Sequence, residues 1–177
     1  MNPQSHAFFI AESFLERTGQ ATQRGDFDNF RSCFELPHLI ATQEGSRWLR
    51  SAADLREIFE AVRTRHALLG DAYMVRRCTG ACFLAPDEIL TCHESRVIAN
   101  NQIMNKPMPA ASTLQLVDGM WRITKSSYGL DCSDMVGHAM LFGGTAPCSD
   151  EAAFDAGLLA QARAKAMLAS HTHWTQL

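Results

Sequence analysis

The chain is 177 residues long, 46% apolar and 20% charged, with a formal net charge of −3. That is enough apolar material for one packed domain plus an appendage, and it supplies no electrostatic footprint for nucleic acid or an anionic membrane. No stretch approaches the roughly 18 consecutive apolar residues that span a bilayer, and the start lacks the basic-then-apolar pattern of a secretory signal, so a cytoplasmic protein is expected.

In chain order, residues 4–24 predict a helix, because Ala7, Ile10, Ala11, Phe14, Leu15 and Thr18 recur at i, i+3, i+4, i+7 spacing. Pro3 suits a first helical position, and Arg24-Gly25 supplies the stop. Asp26 can cap a short second helix whose buried side is marked by Phe27, Phe30 and Phe34 and which Pro37 ends. A small hairpin follows, with strands at 38–42 and 47–50 around a Glu44-Gly45-Ser46 turn. Ser51, with Asp54 three residues on, predicts a capping box for a third helix. The buried stripe of that helix is Leu55, Ile58, Phe59, Val62, His66 and Leu69, and Gly70 ends it.

From there the chain reads as strand after strand. Residues 72–84 form a long strand, with Gly80 marking a bulge or bend. Residues 89–99 follow after a Pro86-Asp87 turn, residues 100–105 form a polar turn, and residues 108–117 make the next strand. Asp118-Gly119 is a tight-hairpin signal leading into a closing strand at 120–128. The expected domain thus covers residues 1–130. Residues 131–149, with Gly137, Gly143, Gly144 and Pro147, read as a linker to a C-terminal helix and tail at 150–177.

The six cysteines, at 33, 78, 82, 92, 132 and 148, include no CxxC pair, so they read as reduced apolar fillers and not as a metal or redox motif. His171 and His173 are too few to make a metal site in a tail. No metal and no cofactor are expected.

The order long helix, short helix, small hairpin, capped helix and long antiparallel strands resembles the nuclear transport factor 2-like superfamily, the cystatin-like cone, and within it the small bacterial SnoaL-like proteins. The resemblance is carried by Arg24-Gly25-Asp26-Phe27, Leu36-Pro37, Ser51-Ala52-Ala53-Asp54-Leu55 and Asp118-Gly119-Met120-Trp121-Arg122-Ile123, and it covers roughly residues 5–130. It implies an α+β fold: a cone-shaped, strongly bent antiparallel sheet packed against three N-terminal helices, here with an extra C-terminal helix. It also implies a homodimer through the convex sheet face. The fold hosts enzymes, binders and plain dimerisation modules, so it does not by itself select a function.

A concave sheet under an amphipathic helix leaves a hollow, which is a default ligand site. Strand alternation decides what lines it. On the closing strand Trp121, Ile123, Lys125 and Ser127 share a face, and the apolar pair assigns that face inward. Tyr128 then points away. Leu114 and Leu116 should face inward on the strand before. Thr91, His93 and Ser95 share one face of the 89–99 strand. If that face is concave, His93 is the best-placed general base, its alternative being a satisfied core histidine. His38, at the mouth of the hollow, and His66, on the third helix, are further candidates, each with a structural alternative. Tyr73 and Tyr128 can donate a phenol hydrogen bond. The expected lining is completed by Trp48, Thr91, Ser95, Leu114 and Trp121.

The cyclase and isomerase relatives use an inward Asp base, and no strand here offers one. A dehydratase-like pairing of His93 with Tyr128 is the nearest match, and alternation denies it unless a bulge intervenes. The sequence therefore supports a homodimeric protein that binds a small apolar molecule. Its alternative is a cofactor-free lyase or isomerase on a hydrophobic carbonyl or cyclic substrate, with a histidine base.

Overall fold

The computed structural model describes residues 2–70, 72–130 and 135–142. Helix α1 (Pro3–Arg24) starts where the Asn2 side chain caps the Gln4 N–H at 2.7 Å and ends where Gly25 adopts φ 73°. That left-handed conformation is nearly free for glycine and costly for a residue with a Cβ. Helix α2 (Phe27–Arg31) is capped by Asp26, which accepts from Asn29 N at 3.0 Å. It is shorter than expected. Phe34 and Pro37 belong to strand β1 (Phe34–Ala41), because the chain is captured there by the closing strand, with Ile123 N donating to Cys33 O at 2.8 Å.

Strand β2 (Ser46–Leu49) pairs with β1 as the small hairpin. Helix α3 (Ala52–Leu68) has the capping box: Asp54 N donates to Ser51 Oγ at 3.2 Å, and Ser51 N donates to Asp54 Oδ2 at 2.9 Å. The long strands are β3 (Tyr73–Ala85), β4 (Glu88–Ala99), β6 (Met108–Val117) and β7 (Met120–Tyr128). A two-residue strand, β5 (Gln102–Ile103), lies inside the expected polar turn and pairs back onto β4.

The sheet runs β2-β1-β7-β6-β4-β3. Every pairing is antiparallel except β1 with β7, which is parallel. This departs from the all-antiparallel expectation. The helices and strands between β1 and β7 give the chain ample length for the crossover that a parallel pair needs.

Bulges shape the curvature. On β3 the register steps from Cys78↔His93 to Gly80↔Cys92, so Thr79 is the extra residue, beside the glycine that signalled it. On β7 it steps from Thr113↔Lys125 to Leu114↔Ile123, leaving Thr124 unmatched. A bulge of this kind bends the strand and reverses which side chains face in. Below Thr124 the inward residue is Ile123, and above it the inward residues are Ser126 and Tyr128, not Lys125 and Ser127 as simple alternation predicts. Leu116 shares the face of Leu114 but lies beyond the core. It is 40% exposed near the open end of the β6–β7 hairpin.

The core lies between the concave face and the helices. Phe59 of α3 is 1% exposed and meets Phe27 and Phe30 at ring separations of 5.4 and 5.0 Å. Leu49, Leu55, Ile89 and Leu114 are equally buried around it.

Helix α4 (Met135–Leu141) occupies part of the stretch expected to be a linker and buries Val136, Met140 and Leu141. Arg47 fastens it. This buried guanidinium donates to Ala139 O at 3.2 Å while pairing with Asp54 at 3.2 Å and Glu57 at 3.1 Å. The expected C-terminal helix and the His171/His173 pair lie outside the described residues.

Truncating Phe59→Ala removes the ring that joins α2 to α3. It should cost about 3–5 kcal/mol, the usual range for a buried phenylalanine, read as a lowered urea midpoint with an unchanged transition slope. A loss below about 1 kcal/mol would contradict this account of the core.

Candidate functional site

The concave face and the helices enclose a cavity of about 490 Å³. A smaller hollow of about 60 Å³ lies deeper, and Leu15, Phe30, Arg76, His93 and Tyr128 line both spaces. The walls of the larger one come from α1, α2, α3, β3, β4, β6, β7 and α4, and Ile58, Val62, Val97, Met108 and Met140 contribute to its apolar surface.

His93 faces inward from β4 and is 5% exposed. Its register partner on β6 is Ala110, whose own partner on β7 is Tyr128. His93 and Tyr128 therefore stand in one cross-strand row, about 10 Å apart at the backbone, with only a methyl group between them. The Thr124 bulge is what brings Tyr128 into that row. Burial, with the Arg76 charge acting in the same direction, pushes the His93 pKa down to about 3, so the imidazole is neutral near pH 7. Its Nδ1 is buried without a hydrogen-bond partner among the described residues. Burial raises the Tyr128 pKa, against smaller opposite effects of Ser126 and Arg76.

Arg76 was not singled out by sequence, yet it dominates this wall. Its Nη2 donates to Leu15 O at 2.6 Å and to Thr18 Oγ1 at 2.9 Å, both on α1. Among the described residues no carboxylate lies within ion-pair distance of it. Burial lowers its pKa, while Tyr128 and Cys33 act in the opposite sense. Space for it exists because residue 19 has no side chain: a Cβ there would sit 2.8 Å from Arg76 Nη2. Glu12, on the same helix, is engaged elsewhere and accepts from Cys78 N at 2.7 Å. Ser112 and Ser126, also unforeseen, face each other at 3.4 Å in the deeper hollow. A signal for Arg76 was present in retrospect. Two adjacent arginines on a strand point to opposite faces, and a glycine in the middle of a helix marks a close approach.

The remaining expected lining residues divide. Ser95, His66 and Tyr73 border the larger cavity, and Thr91 and Leu114 border the smaller. Burial lowers the pKa of His66, with Arg65 and Arg76 acting in the same direction. His38, Trp48 and Trp121 border neither space. His38 is fully buried behind the wall, where Nδ1 lies 3.3 Å from Ile123 O and the ring meets Phe34 edge-on at 5.2 Å. Burial pushes its pKa down to about 4, against a smaller upward effect of the Ile123 carbonyl. Trp121 packs against Phe83 at 6.0 Å, at the rim of the core. It sits on the far side of the bulge from Tyr128.

Two predictions follow from this wall. Between pH 6.5 and about 4 the unfolded chain protonates His38 and His93 while the folded chain does not. Stability therefore falls as pH falls, at about 1.4 kcal/mol per pH unit for each histidine. His93→Gln should flatten the slope of stability against pH by about one proton, and an unchanged slope would show that His93 titrates normally. Gly19→Ala should destabilise the native chain, because the new methyl displaces a guanidinium held by two hydrogen bonds. In an Arg76→Met background the same change should stabilise by about 1 kcal/mol, the ordinary helix preference for alanine. Equal effects in both backgrounds would remove the proposed contact.

No protein-family model matches the chain, and no curated protein matches it. Solved structures do. A cystatin-like domain of unknown function from Nostoc punctiforme matches 95% of this chain and 98% of its own length, with a TM-score of 0.54 at 15% identity. A nuclear transport factor 2-like protein of unknown function from Pseudomonas putida covers 73% of this chain and 90% of its own, with a TM-score of 0.55 at 13% identity. A hexachlorocyclohexane dehydrochlorinase, LinA-type3, from Novosphingobium barchaimii covers 70% and 84%, with a TM-score of 0.55 at 12% identity. At such identities the likeness concerns architecture, and it establishes that this chain has the cystatin-like, nuclear transport factor 2-like cone fold.

Proposed function

We propose that the chain binds a small molecule with a mainly apolar body in the cone cavity, as a homodimer joined through the convex sheet face and without a chemical step of its own. The observation that carries this reading is the cavity itself. At about 490 Å³ it falls within the size range of small-molecule sites, and its walls combine apolar side chains with polar ones, Arg76, His93 and Tyr128 among them.

A second reading, a cofactor-free lyase or isomerase on a hydrophobic carbonyl or cyclic substrate, is favoured by one observation: His93 and Tyr128 flank Ala110 on the cavity wall. His93 would take the proton and the Tyr128 hydroxyl would polarise the oxygen. One fold neighbour, the dehydrochlorinase, is an enzyme. This reading ranks second because a histidine with a pKa of about 3 is a weak base, and its Nδ1 has no group to orient it.

Native mass spectrometry of the purified full chain tests the first reading. Twice the chain mass carrying a small organic adduct is expected. Ala110→Phe, which fills the gap between His93 and Tyr128, should keep the dimer and lose the adduct. A bare chain, or an adduct unaffected by Ala110→Phe, would remove the cavity as the site, and a monomeric mass would remove the dimer.

A further inference from the structure

Arg76 brings to the cavity a positive charge that no carboxylate among the described residues pairs. Arg76 uses Nη2 on α1, and among the described residues its Nε and Nη1 groups have no hydrogen-bond partner. Guanidinium carries five N–H donors in a planar fork, and two of its edges match the two oxygens of a carboxylate. A charge beneath a helix with no counter-ion is costly to keep. Here it is kept at the further expense of a glycine inside α1.

Beside it stands His93, 5% exposed, with a buried ring nitrogen that has no partner among the described residues. The register places it next to Arg76: Arg76 pairs with Ser95 and Cys78 pairs with His93. Tyr128 completes the rim across Ala110. Each of the three can donate a hydrogen bond to the space they share. None of them is a carboxylate that could hold a cation.

Neither of the two acids that line the larger cavity pairs with Arg76. Glu12 is engaged with the Cys78 N–H, and Glu16 accepts from Gln20 at 2.9 Å on the exposed side of α1. Arg65 also borders the cavity, at its α3 wall. The apolar part of the lining includes Ile58, Val62, Val97, Met108 and Met140.

Resting on the cavity reading above, we infer that the ligand is an amphipathic organic acid, its carboxylate held by Arg76 with His93 and Tyr128 and its apolar body lying between α3, α4 and the sheet. A planar carboxylate fits the guanidinium fork bidentately. Neutral His93 adds an N–H without bringing a second buried charge, and a phenol adds an O–H. The apolar walls then select acids with a hydrocarbon or aromatic body over small polar anions.

Isothermal titration of matched pairs tests this on the full chain: 3-phenylpropanoate against 3-phenylpropanamide, and octanoate against octanamide. The acid of at least one pair should bind at least about tenfold more tightly than its amide, the effect of a charge-assisted hydrogen bond. Arg76→Met should erase that preference while leaving amide binding within about threefold, and Arg76→Lys should keep part of it. If Arg76→Met does not fold, Gly19→Ala serves instead: it moves the guanidinium without removing it and should weaken the acid selectively. Acid and amide binding equally well to the native chain would overturn the anion inference and leave the cavity reading standing. So would an acid preference that survives Arg76→Met, or one that survives Gly19→Ala. No binding by any of the four, together with no adduct in native mass spectrometry, would overturn both.

Discussion

A sheet bent into a cone cannot keep one regular alternation from end to end, and the rest of this molecule follows from where the alternation breaks. At Thr124 one extra residue on β7 turns the strand and exchanges its faces. Ile123 can then seal the core beside Leu114, while Ser126 and Tyr128, two and four residues beyond the bulge, point into the hollow. Without the extra residue Lys125 would occupy the interior and Tyr128 would face away. The Thr79 bulge on β3 acts in the same way: it keeps Cys78 and Ala81 both in the core although they lie three apart. Curvature and site composition are thus one property of the strands.

This also separates what was legible in the sequence from what was not. Features set by local backbone chemistry were readable: the Ser51/Asp54 capping box, the Gly25 stop, the Asp118-Gly119 hairpin and the Gly80 irregularity each depend on residues within one turn of one another. Together with their order they were enough to name the cone. Features set by partners distant in sequence were not. The start of β1 at Phe34 is fixed by a bond from Ile123, and the docking of α4 is fixed by Arg47. Thr124 has no side-chain signature that announces a bulge. A single unseen bulge reversed the expected facing of Lys125, Ser126, Ser127 and Tyr128.

Arg76 was missed for a different reason. Charged side chains on strands usually face water, so an arginine next to another arginine reads as solvated surface. The contradiction to that prior lay 57 residues away, in a helix with a glycine where alanine would be more stable. Neither residue is informative alone. Gly19 appears as a mild helix defect and Arg76 as an ordinary charge. Only the fold, by laying α1 across β3, shows that one makes room for the other.

The expectation of an apolar ligand also needs refinement on physical grounds. A wholly apolar guest in this cavity would strip water from Arg76 and return nothing, which is the costly case for buried polar groups. Water can satisfy the free Arg76 donors while the site is empty, since the space is large enough to hold it. A ligand competes with that water only if it brings acceptors of its own to the same place. The arrangement therefore discriminates in two steps: the hydrocarbon walls reject small hydrated ions, and the guanidinium rejects guests that have no acceptor. A neutral His93 suits such a filter better than it suits proton abstraction. The burial and the neighbouring charge that depress its basicity leave its ability to donate a hydrogen bond intact.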